Sequence, residues 1–568
     1  MKKTLRKTLS LILSLLMLFS LVAPASAAND EKHDKTPIIF IAGSSVDICD
    51  AEGNVIPTGF DVITDGDGDT LTKDKIIETF VNISLPFVLE GLPKDKWDTY
   101  GKVLYEELAP IWDETQLGGD GNAKYGTGVS KAEIEKWDKN AEKDRKNVSS
   151  FSLRTFDFRY DWRLSPYDHA ERLHTYIKKI IKSTGCDQVA LVGRCLGGNV
   201  ITAYLDVYGS EGLVKKVVYD EVMSNGSVVI NDFFSGKIKF SDKHIQAYLL
   251  ESEYYGKYDV GIDLVDVNNL LLEVAERLFD LLTQLGAAQG IYDSIYSLYE
   301  RLCGAFMPAM LLATGIGTWA SYWSSVSNED FDAALDLIFG KEGTETREEY
   351  AGLIAKITTI RERIVIPRTL EGKANLYKKF AEDYKVGIGI IAGYGLVNPP
   401  LIESVDKTGD IVVDTEHASF GATTAGIFDT FPQEYIDKQI AAGNGKYISP
   451  DKKIDASTCL FPETTWFIKN KHHDTFHQIV ELSEYFTQYT NVTADSNNRN
   501  ISRFLVVDKN NIEKAVNMTE DNMEDGPWLK QIEQEPTKES KLMSFFKFLA
   551  TMFEFILNIF RGKIDFNF

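Results

Sequence analysis

Short apolar runs alternate with helical apolar spacings along much of this chain. The run 36–43 is apolar and ends in Gly, and residues 151–158 alternate between apolar and polar positions, so both predict strands. Over 165–185 the apolar positions recur with helical spacing, between an N-cap Ser followed by Pro and a terminating Gly. Residues 187–193 predict a buried strand that leads directly into a helix, and 214–222 predict another strand. This alternation predicts a mostly parallel sheet flanked by helices on both faces.

The middle of the chain has a different pattern. Strand-like runs stop at about residue 224 and resume at 386–394 and 464–469, and the chain between them has helical spacing at 264–285, 291–326, 330–339 and 347–363. We therefore expect one sheet domain built from residues 28–224 and 386–540, with a helical cap or lid over 225–385. The acidic, Gly-rich and Asp-rich segment of about 51–150 predicts a second insertion.

One segment of the predicted cap has the length of a membrane span. Residues 302–328 carry no charged side chain, but Pro and Gly interrupt them and Ser and Thr are frequent. A span here would also place the two parts of the sheet domain on opposite sides of a membrane. We therefore expect a buried or substrate-facing segment.

The two ends of the chain have patterns of their own. Residues 1–27 combine a basic start, an apolar stretch and a small-x-small ending, which predicts a signal peptide and a secreted or cell-surface protein, with an uncleaved anchor as the alternative. Residues 541–568 predict an amphipathic, Phe-rich helix with a narrow polar stripe. That helix would pack on the chain's own apolar surface, lie peripherally in a membrane surface, or self-associate.

Composition and charge narrow the class of protein. The 568 residues are 44% hydrophobic and 26% charged, as in an ordinary globular protein. The formal net charge of −23 argues against nucleic acid as a partner, since binding phosphates needs a basic face. The 5 cysteines are too few and too scattered for a disulfide scaffold, and their odd number leaves at least one free thiol.

That free thiol has a candidate role. Gly193-Arg194-Cys195-Leu196-Gly197 lies between a predicted strand and a predicted helix, which is the context of a nucleophile elbow with Cys in place of Ser. The N-terminus of a helix stabilises a thiolate, so the replacement is chemically competent. The alternative is a tight turn that carries a packed, inert Cys.

Together with four other elements, this elbow resembles the lecithin:cholesterol acyltransferase family over residues 38–485. The other elements are Ile38 to Gly43 followed by Ser44-Ser45, the run Tyr160-Asp161-Trp162-Arg163-Leu164-Ser165-Pro166, the turn Gly409-Asp410-Ile411-Val412-Val413, and a terminal His region. The resemblance implies an α/β-hydrolase fold and covalent acyl transfer. Ile411 and Val412 replace the family's usual Gly-Thr pair, and residues 160–163 either shape the pocket or close a strand end.

The resemblance also implies roles for single residues. Cys195 would be the nucleophile, and Asp410 the acid, with Asp406 and Asp414 as nearby competitors. The base would be His472, which the family's His-x-Asp pattern favours, or His473 beside it. The backbone N–H groups of Leu196 and Ser45, with Ser44 as its neighbour, would form the oxyanion hole.

These assignments predict a hydrolase or acyltransferase that cleaves a lipid or another hydrophobic ester. The alternatives are a catalytically silent hydrolase fold that binds a lipid or cell-surface ligand, and a surface-anchored structural protein. No cofactor or metal is expected. Asp65-Gly66-Asp67-Gly68-Asp69 has the spacing of a calcium loop, but Thr70 stands where Gly is needed and Ile76 where Glu is needed, which favours a flexible acidic turn.

Overall fold

The structure is a computed structural model of the chain. It describes residues 35–44, 46–56, 112–146, 152–239, 241–256, 307–473, 477–495 and 499–530, with 475, 532 and three residue pairs between 101 and 110. The predicted signal peptide 1–27, the acidic run 65–69, the predicted helices 264–285 and 541–568, and Ser45 lie outside the described residues.

An eight-stranded sheet forms the centre of the described chain, in the order β14-β13-β12-β7-β6-β5-β1-β4. Every neighbouring pair is parallel except β13 and β14, so the prediction of a mostly parallel α/β sheet is confirmed. The described strands are β1 Ile38–Ile41, β2 Ile48–Cys49, β3 Gly128–Val129, β4 Thr155–Asp157, β5 Val189–Arg194, β6 Val214–Asp220, β7 Gly387–Tyr394, β8 Leu396–Val397, β9 Thr408–Gly409, β10 Thr423–Thr424, β11 Ile454–Asp455, β12 Thr465–Lys469, β13 Phe504–Asp508 and β14 Asn511–Asn517.

Helices flank this sheet. The described α-helices are α1 Lys131–Ala141, α2 Ala170–Thr184, α3 Leu196–Tyr208, α4 Val228–Ser235, α5 Asp242–Gly256, α6 Phe331–Phe339, α7 Glu345–Glu349, α8 Ala351–Ile360, α9 Ile366–Arg368, α10 Leu376–Glu382, α11 Thr415–Ala418, α12 Gln433–Ala441, α13 His477–Gln488 and α14 Pro527–Lys530. The apolar spacing before Gly185 forms α2, and Gly185 ends it in the left-handed conformation at φ 70°. Ser165 and Pro166 open a short 3-10 turn that precedes α2.

Alternate strand residues enter two separate cores. In β1, Ile39 and Ile41 belong to the core that also contains the apolar faces of α2 and α3, whereas Ile38 and Phe40 belong to the core under α13. Successive strand residues point to opposite faces of a sheet. Both faces of the sheet are therefore buried, which explains why its strands are continuous apolar runs.

Strands β6 and β7 are parallel neighbours, although residues 221–386 separate them in the sequence. The chain therefore leaves the sheet after β6 and returns beside the place where it left. The strands on either side of the uncharged segment 302–328 therefore belong to one sheet, which argues against a membrane span in this segment.

The described part of that segment is not the long helix that its pattern predicted. Residues 307–313 are helical, but Gly315 is left-handed at φ 86°, and the chain continues in the 3-10 turns Ile316–Thr318 and Ala320–Ser325. Trp319, Tyr322 and Trp323 are buried there. Among the described residues, no helix has both the length and the apolar character that a membrane crossing requires.

Candidate active site

Cys195 lies where the order of strands changes direction. From β1 the chain goes to β4 on one side, whereas β5, β6 and β7 follow in order on the other side. The loops that leave the carboxyl ends of β1 and β5 therefore diverge, and this is where open parallel sheets bind ligands. Gly43 closely follows β1 and Cys195 follows β5, so both lie at this point.

The backbone of Cys195 has a strained conformation. Its φ of 50° and ψ of −125° fall where residues with a side chain are rare, directly between β5 and α3. A Cβ on Gly197 would lie 1.8 Å from the Ile41 carbonyl oxygen, and one on Gly193 would lie 2.6 Å from Ile201 Cδ1. Both glycines of the motif are therefore needed for close packing, and the tight strand-to-helix turn predicted from the sequence is present.

Hydrogen bonds hold this turn in place. Cys195 donates its N–H to the Asp220 carbonyl oxygen (3.2 Å), and its own carbonyl oxygen accepts from Gly198 (3.1 Å) and Met223 (3.3 Å). The thiol lies at the N-terminus of α3, 3.8 Å from Met223 Sδ. The strained backbone of Cys195 is therefore held by β6, by the turn after β6 and by the first turn of α3.

Asp410 is held by a tight turn after β9. Its Oδ1 accepts hydrogen bonds from the N–H groups of Val412 (2.9 Å) and Val413 (2.7 Å), and its own N–H donates to the Val413 carbonyl oxygen (3.2 Å). Ile411 reaches a φ of 90° to allow this. The turn therefore fixes Asp410 without the Gly-Thr pair that the resemblance led us to expect.

Of the two candidate histidines, the structure brings His473 to Asp410. His473 Nδ1 lies 2.6 Å from Asp410 Oδ2, and the His473 N–H donates to the Asp410 carbonyl oxygen at 3.1 Å. The ring of His472 instead lies 5.2 Å from that of Tyr255. Adjacent side chains leave extended backbone in opposite directions, so only one of the pair can face Asp410. Of the two candidates, the geometry therefore favours His473, whereas the family pattern favours His472.

The His473 imidazole interacts electrostatically with both Asp410 and the thiol of Cys195. Burial alone would lower the pKa of His473, but Asp410 and Cys195 raise it well above its usual value. For the carboxyl of Asp410, burial alone would instead raise the pKa, but His473 holds this pKa well below its usual range. The remaining ring nitrogen, Nε2, is buried without a hydrogen-bond partner among the described residues. The site therefore holds a thiol, an imidazole that prefers to be charged, and a carboxylate that stays ionised.

The competing acids have other surroundings. Asp414 is the N-cap of α11 and lies 2.8 Å from His417 Nδ1, within its own turn. Asp406 is 82% exposed and lies 2.9 Å from His244 Nε2. Neither bonds His473 in the described part of the chain, so Asp410 is the acid that the geometry selects.

The loop after β1 approaches the nucleophile closely. A Cβ on Gly43 would lie 2.8 Å from Cys195 Cβ and 3.5 Å from the Leu196 nitrogen, so the loop runs against the start of α3. Leu196 is thus placed as a backbone donor next to Cys195, as predicted for an oxyanion hole. The second predicted donor, Ser45, lies outside the described residues, while its neighbour Ser44 is buried.

The run 160–166 supports this loop. Tyr160 donates its hydroxyl to the Ala42 carbonyl oxygen (2.7 Å), and Trp162 Nε1 donates to that of Val46 (3.1 Å). Trp162 also packs edge-on against Trp319, with ring centroids 4.7 Å apart. The run therefore fixes the chain that follows β1 and packs against the segment that contains Trp319.

Three charged residues of the site were not among the sequence predictions. Asp220 is the last residue of β6 and Glu221 follows it, while Lys471 precedes the histidines; all three are buried beside the Asp410 and His473 pair. Their sequence signature is a charged residue directly after an apolar strand, at the edge where the catalytic candidates meet. Apolar patterns alone do not reveal which of those charges point inward.

Glu221, Asp410 and His473 bring ligand-type atoms within 4.8 Å of one another, as a metal site would require. Lys471 Nζ already contacts Glu221 Oε2, however, and the oxygens of Asp410 already accept from backbone N–H groups and from His473. A cation would have to displace Lys471 and break these bonds. The cluster is better described as a network of charges and protons.

Comparison with known proteins adds no assignment: no protein-family model matches the chain, and neither curated proteins nor solved structures give a match.

Proposed function

We propose that this chain is a secreted acyl hydrolase or acyltransferase with an α/β-hydrolase fold, similar to the lecithin:cholesterol acyltransferase family. Cys195 is its nucleophile, His473 its base and Asp410 its acid. The observation that carries the proposal is the contact of His473 with Asp410 at 2.6 Å, beside a thiol held in a strained turn at the switch point of the sheet.

The first half of the reaction uses the proton of the thiol. His473 takes this proton, and the Cys195 sulfur attacks the carbonyl carbon of an ester. The N–H of Leu196 donates to the oxyanion of the tetrahedral intermediate. When the intermediate collapses, the carbon–oxygen bond breaks, His473 gives its proton to the departing alcohol, and a thioester remains on Cys195.

The second half repeats these steps with a new nucleophile. His473 removes a proton from water or from an acceptor alcohol, which attacks the thioester, and the sulfur leaves and regains its proton from His473. Water gives a carboxylic acid and an alcohol gives a new ester. Asp410 keeps Nδ1 protonated throughout, so that Nε2 is the nitrogen that faces the chemistry.

The surroundings of the thiol favour a hydrophobic substrate. Met223 contacts the sulfur, and the buried Tyr322 interacts with Cys195. Cys195 is itself only 5% exposed, so an acyl chain bound here would be surrounded by apolar side chains. We propose a lipid or a similar ester as substrate, with the C-terminal helix 541–568 as the region that contacts a lipid surface.

A chain-length series of p-nitrophenyl esters tests this function. The wild-type chain is expected to release one equivalent of p-nitrophenol in a burst as the thioester forms, with the highest rates for long acyl groups. Cys195→Ala is expected to abolish the burst, whereas Cys186→Ser, which changes a half-buried free thiol elsewhere, retains it. No burst at any chain length, together with activity gained by Cys195→Ser, would overturn the proposal.

A second candidate function is a catalytically silent protein that binds a lipid or a cell-surface ligand in the same fold. The burial of the whole triad favours it, since Cys195, His473 and Asp410 are all less than 6% exposed. Binding of a lipid by both wild type and Cys195→Ala, with no thioester formed by the wild type, would select this function. Under the first proposal the thioester forms.

A further inference from the structure

Glu221 is a buried acid next to the triad to which the reaction above gives no role. It follows β6 in a left-handed conformation with φ 47°, and its N–H donates to the Ile391 carbonyl oxygen of β7 at 3.1 Å. The side chain is wholly buried. The backbone therefore directs this carboxyl into the space between β7 and the Asp410 turn.

Its two oxygens have different surroundings. Oε2 contacts Lys471 Nζ and lies 3.8 Å from His473 Nδ1. Oε1 receives no hydrogen bond from the described residues and packs on β7, where a Cβ on Gly393 would lie 2.3 Å away. That same Cβ would lie 3.1 Å from Asp410 Cβ, so the two acids share this space. An ionised carboxylate with an oxygen that accepts nothing is costly in a buried site.

Among the described residues, the charges around Glu221 and its neighbour Asp220 do not balance if every acid is ionised. Arg194 at the end of β5 and Lys471 after β12 supply two positive charges, while Asp220, Glu221 and Asp410 are three carboxyl groups; all five are buried. Cys195 and His473 add no net charge, either as thiol and imidazole or as thiolate and imidazolium. One proton shared among the carboxyls makes the network neutral, as burial demands.

Glu221 is the carboxyl best placed to carry that proton. Asp410 acts only as an acceptor, toward two backbone N–H groups and His473. Both oxygens of Asp220 also lack a hydrogen-bond partner in the described chain, but two cations face this carboxyl, Arg194 Nε at 3.6 Å and Lys471 Nζ at 3.7 Å. Burial and the nearby Asp410 raise the pKa of Glu221 well above its usual value, which agrees with the geometry.

We propose that Glu221 is a positioning residue that is protonated in the resting protein and donates a hydrogen bond from Oε1 to Asp410. This bond orients the Asp410 carboxylate and moderates its attraction for the His473 N–H, so that the imidazolium can later release its proton. An ionised Glu221 would place a second negative charge beside Nδ1 and oppose that release. The assignment of a role in turnover rests on the proposed function, whereas the protonation does not.

Infrared difference spectroscopy of the full chain tests the protonation without a substrate. The spectrum of wild type minus Glu221→Gln at neutral pH is expected to contain the carbonyl stretch of a protonated carboxyl, shifted in D₂O. The same band is expected in a Cys195→Ala background, because it does not depend on the thiol. A difference spectrum that loses only carboxylate bands would overturn the proposal.

The pH profile of Cys195 alkylation by iodoacetamide tests the positioning role. Peptide mass spectrometry follows Cys195 and, as an internal control, Cys186. Glu221→Gln keeps a neutral donor, so its midpoint is expected within about 0.3 pH units of wild type. Glu221→Ala frees Asp410 to hold the imidazolium more strongly, so its midpoint is expected about half a unit lower.

An ionised Glu221 predicts the opposite sign, since Gln and Ala would both remove a negative charge near His473 and move the midpoint to higher pH. A shift of the alkylation midpoint to higher pH in these variants would overturn the proposal. If Glu221→Ala does not fold, the midpoint of Glu221→Gln alone decides between the two protonation states. A wild-type Cys195 that shows no enhanced alkylation over Cys186 would count against the proposed enzyme, and the infrared band would still decide the protonation of Glu221.

Discussion

The molecule contains two His–Asp pairs of similar geometry, of which only one adjoins a nucleophile. His473 lies 2.6 Å from Asp410, and His417 lies 2.8 Å from Asp414, only four residues farther along the chain. In both pairs the pKa of the His is raised and that of the Asp is lowered, despite burial. Distance and pKa direction alone therefore do not separate a candidate site from a structural contact.

What separates the pairs is how each one is built. Asp414 and His417 belong to one turn of α11, where Asp414 also caps the helix and accepts the Val228 N–H. Asp410 and His473 come from separate connections at the carboxyl edge of the sheet, and they meet beside Cys195 and Glu221. The candidate triad is therefore marked by two features: its residues lie far apart in the sequence, and a nucleophile lies nearby. A short His–Asp bond alone does not mark it.

The largest expected effect comes from removing each imidazole in turn. His473→Asn is expected to slow thioester formation on the order of 10³-fold, because Asn cannot take the thiol proton. His417→Asn, the matched change in the other pair, should leave the rate within about threefold of wild type. Burst kinetics with a long-chain p-nitrophenyl ester measure both; equal losses in the two variants would remove the distinction between the pairs.

Replacing the acids separates activity from stability. Asp410→Asn is expected to reduce thioester formation by about 10²-fold or more, because the amide no longer holds the His473 tautomer. Asp414→Asn keeps a side chain that can cap α11 but loses the ion pair, so it is expected to cost about 1–3 kcal/mol of unfolding free energy with little change in rate. Denaturant unfolding and burst kinetics on both variants make the comparison. A large rate loss in Asp414→Asn alone would reverse the assignment of the acid.

The glycines that pack against the two pairs give a smaller effect. A Cβ on Gly393 would lie 2.3 Å from Glu221 Oε1, and one on Gly226 would lie 2.3 Å from His417 Cδ2. Each Gly→Ala change is expected to cost about 1–3 kcal/mol of stability through overpacking. Only Gly393→Ala should also reduce the burst rate, by about tenfold. If the burst rate falls to the same extent in Gly226→Ala, then both pairs influence the reaction.

The smallest expected difference between the two His–Asp pairs is in how each contributes to the pH dependence of stability. The lowered pKa of Asp410 stabilises the fold above about pH 4, and that contribution is lost as pH falls through the lowered value. The raised pKa of His473 stabilises the fold fully below about pH 6.5, and this is lost as pH rises through the raised value. The stability difference between wild type and Asp410→Asn should therefore be greatest between these limits.

The same measurement on Asp414→Asn provides the control. The His417 side chain is 35% exposed, so solvent screens its interaction with Asp414 and the dependence on pH should be shallower. Thermal or denaturant unfolding from pH 3 to 9 tests this. A stability difference between wild type and Asp410→Asn that does not change with pH would contradict the predicted contribution of the first pair.

Apolar patterns predict the sheet well because a parallel sheet buries both faces. The predicted runs 36–43, 187–193 and 214–222 correspond to β1, β5 and β6, with ends that differ by a few residues. The hairpin of β13 and β14 was not predicted, because β14 is an edge strand whose half-exposed side chains carry little apolar pattern. The segment 302–328 was predicted as helix from its apolar content, but glycine conformations break it into turns.

Local motifs also located the candidate site, but not its details. The elbow was predictable because two glycines flanking Cys195 serve one purpose, close packing around a strained turn. The choice between His472 and His473 was not predictable from the sequence, because the direction of a side chain after β12 depends on where the strand ends. Glu221 and Lys471 were missed because only the folded sheet shows which charges at its edge point inward.

Peptide mapping of the acylated protein tests the central claim most directly. The wild-type chain is mixed with a long-chain p-nitrophenyl ester, quenched in acid and digested. A hydroxylamine-labile acyl group is expected on the Cys195 peptide of wild type and Glu221→Gln, and on neither His473→Asn nor the Cys186 peptide. Acylation that is absent from Cys195, or that persists there equally in His473→Asn, would contradict the account.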